Sequence, residues 1–366
     1  MCACLLTCTA MGATPPAGVT PNPGETYGVI EVGASGIKGV VVQTTAPDPE
    51  NPPVKVLKEY APLDKNAFHW DADASGRVAE SVEQMHQEME KDFTPIHHLF
   101  VVGSSGVPDG VRSNLAESIR NKVHAEMEFI NVEKEISLEF SGIVPAKRYN
   151  QVVLIDIGSG NTKGAYNEHS EGGAALKTFQ LPWGTKTWAH EINVTRGDGD
   201  FGLAAGVLGQ NKLLPGIRQF SRENPDLNNR RRVYLAGGIT WAMCRLLHPY
   251  DQGSWVRVSD SDIDAFYERV KNDPGALLDP DLSQAPKGLA GERLETAKKK
   301  AESEIAKVRD VFSKDQLLAG AQILKALKDT MAFDKKDAIF FAGEKALYAW
   351  DLGYVSEKIT AATASR

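Results

Sequence analysis

Two glycine-rich segments of the sequence carry a carboxylate and a lysine at the same spacing. Residues 31–39 read EVGASGIKG, and residues 156–164 read DIGSGNTKG, without a gap between the two patterns. Glycine-rich turns present backbone N–H groups in a concave arrangement that suits phosphate, and a lysine adds positive charge there. The repeat therefore predicts a duplicated phosphate clamp.

The acidic residue that opens each segment predicts a metal site. Glu31 and Asp156 each follow an apolar run. Mg²⁺ prefers oxygen ligands and keeps several of its waters, so we expect these two carboxylates to hold it beside the phosphate. The residues predicted to contact phosphate in the two segments are Gly33, Ser35, Lys38, Gly158, Ser159, Gly160, Asn161 and Lys163.

A third glycine motif lies further along the chain. Residues 233–240 read VYLAGGIT, an apolar run that ends at Gly237 and Gly238 before a predicted helix. A helix N-terminus can face an anion, so both glycines are further candidates for phosphate binding.

The elements around these motifs alternate between strands and helices. Short apolar runs at 27–32, 98–102, 151–157 and 232–236 predict strands, and the periodicity of 78–93, 133–142 and 344–350 predicts helices. Residues 46–54 predict a loop because they are rich in proline. Such alternation is typical of α/β layers, and the repeated strand–turn–strand unit indicates two similar halves.

Composition limits the classes of partner. The chain has 366 residues and a net charge of −7, which disfavours nucleic acid and anionic membrane surfaces. No stretch is apolar for long enough to span a bilayer. Three of the four cysteines lie within the first eight residues, without zinc-like spacing, so we expect a reduced, cytoplasmic protein. Residues 5–8 faintly resemble a lipoprotein cleavage box, which leaves lipid anchoring or export as the alternative.

The order of the motifs resembles the exopolyphosphatase/guanosine pentaphosphate phosphohydrolase family of the actin/Hsp70/sugar-kinase superfamily. Besides the two loops, residues 101–107 (VVGSSGV), 130–142 (INVEKEISLEFSG) and 181–184 (LPWG) resemble family segments in the same order. The resemblance implies two ribonuclease-H-like (actin-like ATPase) lobes with a cleft between them. It places a tail and linker at 1–26, one lobe at 27–145, and a second at 146–366 whose last helix packs on the first.

The same resemblance implies a mechanism. It assigns Glu135, with Glu133 as the next best match, to the glutamate that activates water. Glu31 and Asp156 are its catalytic partners at Mg²⁺, and Ser105 joins the phosphate-binding residues. The implied substrates are polyphosphate or a nucleotide phosphate. This sequence departs from the family pattern at Glu31, where the family has Asp, and at Lys163, where it has Glu.

Three functions remain open at this point. The first is a Mg²⁺-dependent hydrolase that releases terminal phosphate from polyphosphate or guanosine pentaphosphate. The second is an ATP-dependent kinase of a sugar or another small molecule, favoured by Lys163 and the Gly-Gly motif. The third is a sensor that binds nucleotide or polyphosphate without turnover. A homodimer is also left open, because the helical segment 262–310 has no assigned role.

Overall fold

The computed structural model describes residues 24–33, 36–46, 54–63, 73–170, 173–283 and 286–364. It contains two mixed β-sheets. The first has the order β3-β2-β1-β4-β5, and the second has the order β10-β11-β9-β6-β7-β8. The strands are β1 Thr26–Val32, β2 Ile37–Thr44, β3 Val54–Leu63, β4 His98–Gly103, β5 Met127–Phe129, β6 Val152–Ile157, β7 Thr162–Ser170, β8 Gly173–Leu181, β9 Arg232–Ala236, β10 Val256–Val258 and β11 Ala338–Phe341.

The two sheets repeat one topology. In each, three consecutive antiparallel strands are followed by two parallel ones, so that β1 to β5 correspond to β6, β7, β8, β9 and β11. The second sheet adds β10 at its edge, antiparallel to β11. The duplicated loops are thus the first hairpin turn of each lobe, and the predicted two-lobed α/β fold is confirmed.

Helices cover both sheets. They are α1 Ala74–Asp92, α2 Arg112–Val123, α3 Val132–Ile143, α4 Thr185–Arg196, α5 Phe201–Leu208, α6 Leu214–Glu223, α7 Pro225–Asn228, α8 Gly238–Leu247, α9 Asp260–Asn272, α10 Pro274–Leu278, α11 Gly291–Val311, α12 Lys314–Thr330 and α13 Ala349–Ala364. A π-helical turn at Gly209–Leu213 joins α5 to α6. No helix in the described part of the chain is long and apolar enough to cross a membrane.

Helix α3 lies between the lobes and packs on both sheets. Its Leu138 joins an apolar cluster with Val102 of the first sheet and Tyr354 of α13. Its Phe140 joins a second cluster with Leu154 of the second sheet. Because apolar side chains point to both sides of α3, each sheet gains a buried face from the same helix.

The predicted secondary structure differs most from the observed one in segments that contact residues far away in the sequence. Residues 54–63, to which no strand was assigned, form the edge strand β3 beside β2. The predicted helix 344–350 is wrong in position: a 3₁₀ turn occupies Gly343–Leu347, and α13 begins only at Ala349. That helix runs to Ala364 and packs against α3 and the first sheet.

The crossing of α3 and α13 depends on two glycines. A Cβ atom added to Gly142 would lie 1.8 Å from the carbonyl oxygen of Ala349, and one added to Gly353 would lie 1.9 Å from that of Leu138. Each helix therefore presents a glycine to the backbone of the other. No rotamer change can relieve such an overlap, because the opposing atoms belong to the backbone.

We expect Gly142→Ala and Gly353→Ala each to lower the free energy of unfolding by about 1–3 kcal/mol, since the helices must move apart. Gly206→Ala, in the open interior of α5, is the matched control. It should raise stability by about 0.4–1 kcal/mol, because alanine reduces the entropy of the unfolded chain. Urea unfolding followed by circular dichroism measures all three; equal stability of the three variants would contradict the close crossing.

Candidate functional site

The acid and the lysine of each glycine-rich segment face each other across a hairpin. Glu31 pairs with Lys38 in the β1–β2 register, and Asp156 pairs with Lys163 in the β6–β7 register. The side chains follow the backbone: the Lys38 Nζ atom lies 2.6 Å from Glu31 Oε2, and the Lys163 Nζ atom lies 3.5 Å from Asp156 Oδ2. The repeated spacing of acid and lysine thus produces a cross-strand ion pair in each lobe.

The second loop has unused backbone donors. Gly158 donates its N–H to the carbonyl oxygen of Asn161 across the turn, at 2.9 Å. The carbonyl groups of Gly158 and Ser159 accept hydrogen bonds from the first N–H groups of α4. The N–H groups of Ser159, Gly160 and Asn161 make no hydrogen bond with another described residue. Three adjacent free donors in a glycine-rich turn form an arrangement that can bind phosphate oxygens.

The first loop closes in the same way. Gly33 donates its N–H to the carbonyl oxygen of Gly36 at 2.9 Å, as Gly158 does in the second loop. The predicted phosphate ligand Ser35 lies outside the described residues. Lys38 extends toward the C-terminal segment, where its ammonium group donates to the carbonyl oxygen of Leu347 at 2.9 Å.

Glu135 lies where the two lobes meet. It is in the first turn of α3, whose N-terminus is capped by the side chain of Asn131. One carboxylate oxygen, Oε2, accepts hydrogen bonds from the hydroxyl of Ser105 at 2.6 Å and from its backbone N–H at 3.3 Å. The other, Oε1, contacts the ammonium group of Lys163. The structure therefore brings Glu135, Ser105, Lys163 and Asp156 together, and Ser105 contacts the carboxylate through both of its donors.

These contacts set the charges of the group. Burial raises the pKa of Glu135, but Lys163 and the two donors of Ser105 outweigh it, so the pKa lies below its usual value. Burial lowers the pKa of Lys163, but Asp156 and Glu135 outweigh it and raise the pKa. Burial also raises the pKa of Asp156 against the opposing effect of Lys163. Glu135 and Lys163 are consequently both charged at neutral pH.

Two further buried acids belong to the site, and sequence reasoning missed both. Glu139 lies one turn after Glu135 on α3, and burial together with Asp156 raises its pKa well above the usual value. Asp351 comes from α13; burial and the nearby Glu31 raise its pKa well above the usual value. The spacing of four residues on one helix could have identified Glu139. No local signal marks Asp351, because a distant helix carries it.

The Gly-Gly motif lies next to the second loop. Gly237 has a φ of +89°, a conformation that L side chains rarely adopt. A Cβ atom there would lie 2.5 Å from the Asp156 Oδ1 atom and 2.3 Å from the carbonyl oxygen of Ile157. Gly238 begins α8, so the N-terminus of a ten-residue helix points toward this edge of the second sheet. The motif and the second loop therefore lie at one edge of the sheet, where the positive N-terminal end of α8 adds to the free N–H groups of the loop.

Comparison with known proteins gives matches in fold but none in sequence. No protein-family model matches the sequence, and no curated protein matches it in sequence. A Ppx/GppA family member from Aquifex aeolicus superposes with a TM-score of 0.61 at 13% identity, over 92% of this chain and 99% of that one. The chain has the Ppx/GppA fold. An exopolyphosphatase-like protein superposes with a TM-score of 0.58 at 15% identity, over 91% and 98% of the two chains. An exopolyphosphatase from Cytophaga hutchinsonii superposes with a TM-score of 0.51 at 12% identity, over 90% of this chain and 98% of that one.

Whether Mg²⁺ fits this version of the Ppx/GppA fold depends on the donor set. No three His, Cys, Asp or Glu side chains among the described residues are arranged as a ready-made metal cage. Buried carboxyl groups nevertheless outnumber the two ammonium groups, and both oxygens of Asp351 are buried without a hydrogen bond to any residue that the structure describes. Mg²⁺ is commonly held by one or two carboxylates together with water and substrate phosphates. These buried carboxyl groups therefore fit a Mg²⁺ ion that is also coordinated by a bound phosphate. The prediction of Mg²⁺ at Glu31 and Asp156 stays a prediction.

We expect Lys163→Met to lower the free energy of unfolding by about 3–5 kcal/mol, because it leaves buried carboxylates without their cation. Lys177→Met is the matched control. Lys177 pairs with Glu168 across the β7–β8 hairpin at 3.0 Å, and these side chains are 38% and 42% exposed, against 12% and 11% for Lys163 and Glu135. Its loss should cost less than about 1 kcal/mol. Chemical unfolding compares the two variants, and similar costs would show that burial adds nothing to the Lys163 pairs.

Proposed function

We propose that the protein is a phosphoanhydride hydrolase that releases the terminal phosphate of polyphosphate or guanosine pentaphosphate. One observation carries the proposal: a buried Glu135 is held between Ser105 and Lys163 beside the second glycine-rich loop. The fold supports it, because a solved neighbour of similar architecture is an exopolyphosphatase. We accordingly propose that the chain is a divergent Ppx/GppA family member.

The second loop supplies the proposed phosphate site. The free N–H groups of Ser159, Gly160 and Asn161 would donate to oxygens of the terminal phosphate, and the N-terminus of α8 would add positive potential. Lys163 keeps its charge close to these donors. Mg²⁺, held by Asp156 and Glu31, would neutralise phosphate charge in the cleft.

Glu135 would act as the general base. Its Oε2 atom already accepts two hydrogen bonds from Ser105, while Oε1 has one lone pair left beside Lys163. In hydrolysis, the oxygen of a water molecule bonds to the terminal phosphorus as the bridging P–O bond breaks. Glu135 takes the proton that the water loses, and the shortened chain leaves with the electron pair of the broken bond.

A second function, binding of polyphosphate or nucleotide without turnover, is favoured by the contact between Lys163 and Glu135. The ammonium group lowers the pKa of the carboxylate, and a less basic carboxylate is a weaker acceptor for the proton of water. The same structure can therefore serve as a sensor if the lysine keeps this position when phosphate is bound.

The direct test is phosphate release by the purified protein with Mg²⁺. We expect orthophosphate to appear from long-chain polyphosphate or from guanosine pentaphosphate, measured by a colorimetric phosphate assay. Binding of either compound without release would favour the sensor over the hydrolase. ATP turnover that requires an added sugar would instead show a kinase.

Glu135→Gln tests the general base. The amide keeps the size of the side chain but cannot take a proton, so turnover should fall by roughly 10²–10⁴-fold while substrate binding stays within a few-fold. Glu133→Gln, at an exposed position in the first turn of the same helix, is the matched control and should leave turnover unchanged. Equal turnover by the two variants would remove Glu135 from the mechanism; thermal unfolding checks that both are folded.

A further inference from the structure

A second polar cavity lies at the opposite edge of the second sheet from the candidate site. Strands β6, β9 and β11 run parallel, and the candidate site lies where β6 and β9 end. The cavity lies where β9 and β11 begin, and it has a volume of about 330 Å³. It is lined by Asn228, Asn229, Arg230, Arg231, Thr330, Met331, Ala332, Lys335 and Lys336.

The lining contains four basic side chains and no acidic one. Lys336 donates to the carbonyl oxygen of Asn228 at 2.7 Å, and Lys335 makes no ion pair with any described residue. Burial lowers the pKa of Lys336, and the nearby positive charge of Arg230 lowers it further. Neither lysine has a carboxylate partner among the described residues.

The arginines are only partly compensated. Arg230 is 4% exposed and donates to the carbonyl oxygens of Asp226 and Asn150, while its nearest carboxylate oxygen, on Asp226, is 3.8 Å away. Arg231 pairs with Asp337 at 2.7 Å on the exposed side. The Arg230 guanidinium also lies over the ring of Tyr166, 5.8 Å from the centroid, so carbonyl oxygens and an aromatic face meet its charge in place of a close carboxylate.

Two features independent of charge belong to the same cavity. The hydroxyl oxygen of Thr330, at the end of α12, is buried and has no hydrogen-bond partner within the described residues. Ala332 adopts a φ of +49°, which is uncommon for a residue with a Cβ atom. Strained backbone of this kind occurs frequently at ligand sites. The cavity therefore also contains a free polar group and a strained turn.

We propose that this cavity is a binding site for a phosphate chain of two or more units, separate from the cleft between the lobes. Arg230, Lys335 and Lys336 would neutralise the chain, and the free hydroxyl of Thr330 would donate to one of its oxygens. The volume lies at the lower end of the range for ligand pockets, about 300–1,000 Å³, which suits a short chain better than a whole nucleotide. The assignment does not depend on the hydrolase activity proposed above.

The experiment is calorimetric titration of the full chain with pyrophosphate, in EDTA so that no divalent ion takes part. Lys335→Gln/Lys336→Gln removes the two uncompensated charges, and we expect it to weaken binding at least tenfold. Lys298→Gln/Lys299→Gln, on α11, makes the same change in net charge away from the cavity and should leave binding unchanged. Lys335→Gln alone should weaken binding about threefold, and it alters no hydrogen bond of a described residue.

Three results would overturn the proposal: no pyrophosphate binding by the unaltered chain, equal binding by the cavity and control variants, or orthophosphate binding as tight as that of pyrophosphate. Titration with a nucleoside diphosphate distinguishes a free phosphate chain from the phosphates of a nucleotide. The proposal expects the nucleoside diphosphate to bind more weakly than pyrophosphate. Glu135→Gln should bind pyrophosphate in EDTA as the unaltered chain does. A protein without hydrolase activity would still show this site, so the two proposals fail separately.

Discussion

The carboxylate of Glu135 joins the two lobes, and the arrangement of the cleft depends on it. Ser105, which follows a strand of the first sheet, donates to one oxygen, and Lys163, on a strand of the second sheet, contacts the other. A charge this buried is stable only while both partners remain in place. The position of α3, which carries the carboxylate, is therefore fixed relative to both sheets by a single polar group as well as by its apolar faces.

The remaining acids show how the protein tolerates so much buried negative charge. Lys38 and Lys163 each neutralise the acid opposite them in the hairpin. Glu139 and Asp351 form no ion pair with a described residue, and burial raises the pKa of each well above its usual value. The cleft thus combines two cross-strand ion pairs with further buried acids on α3 and α13.

Local sequence patterns predicted the features that depend on neighbouring residues. The equal spacing of acid and lysine in the two loops indicated the duplication, and the register shows its physical basis, since both pairs lie directly across a hairpin. Strand β3 was not predicted, and the last helix was predicted at 344–350 although it lies at Ala349–Ala364, because contacts with distant parts of the chain set the positions of both elements. Asp351 was missed for the same reason: it reaches the first hairpin only through the packing of α13 on α3.

The two duplicated loops differ in the contacts of their lysines, and this difference gives the loops different roles. Lys38 is held by Glu31 and by the carbonyl oxygen of Leu347, so the C-terminal segment stabilises the first hairpin. Lys163 is shared between two carboxylates beside free backbone donors. Anion binding requires donors that are not already used within the protein. Among the described residues, the second loop meets that requirement, and Glu135, the proposed general base, contacts the lysine of the same loop.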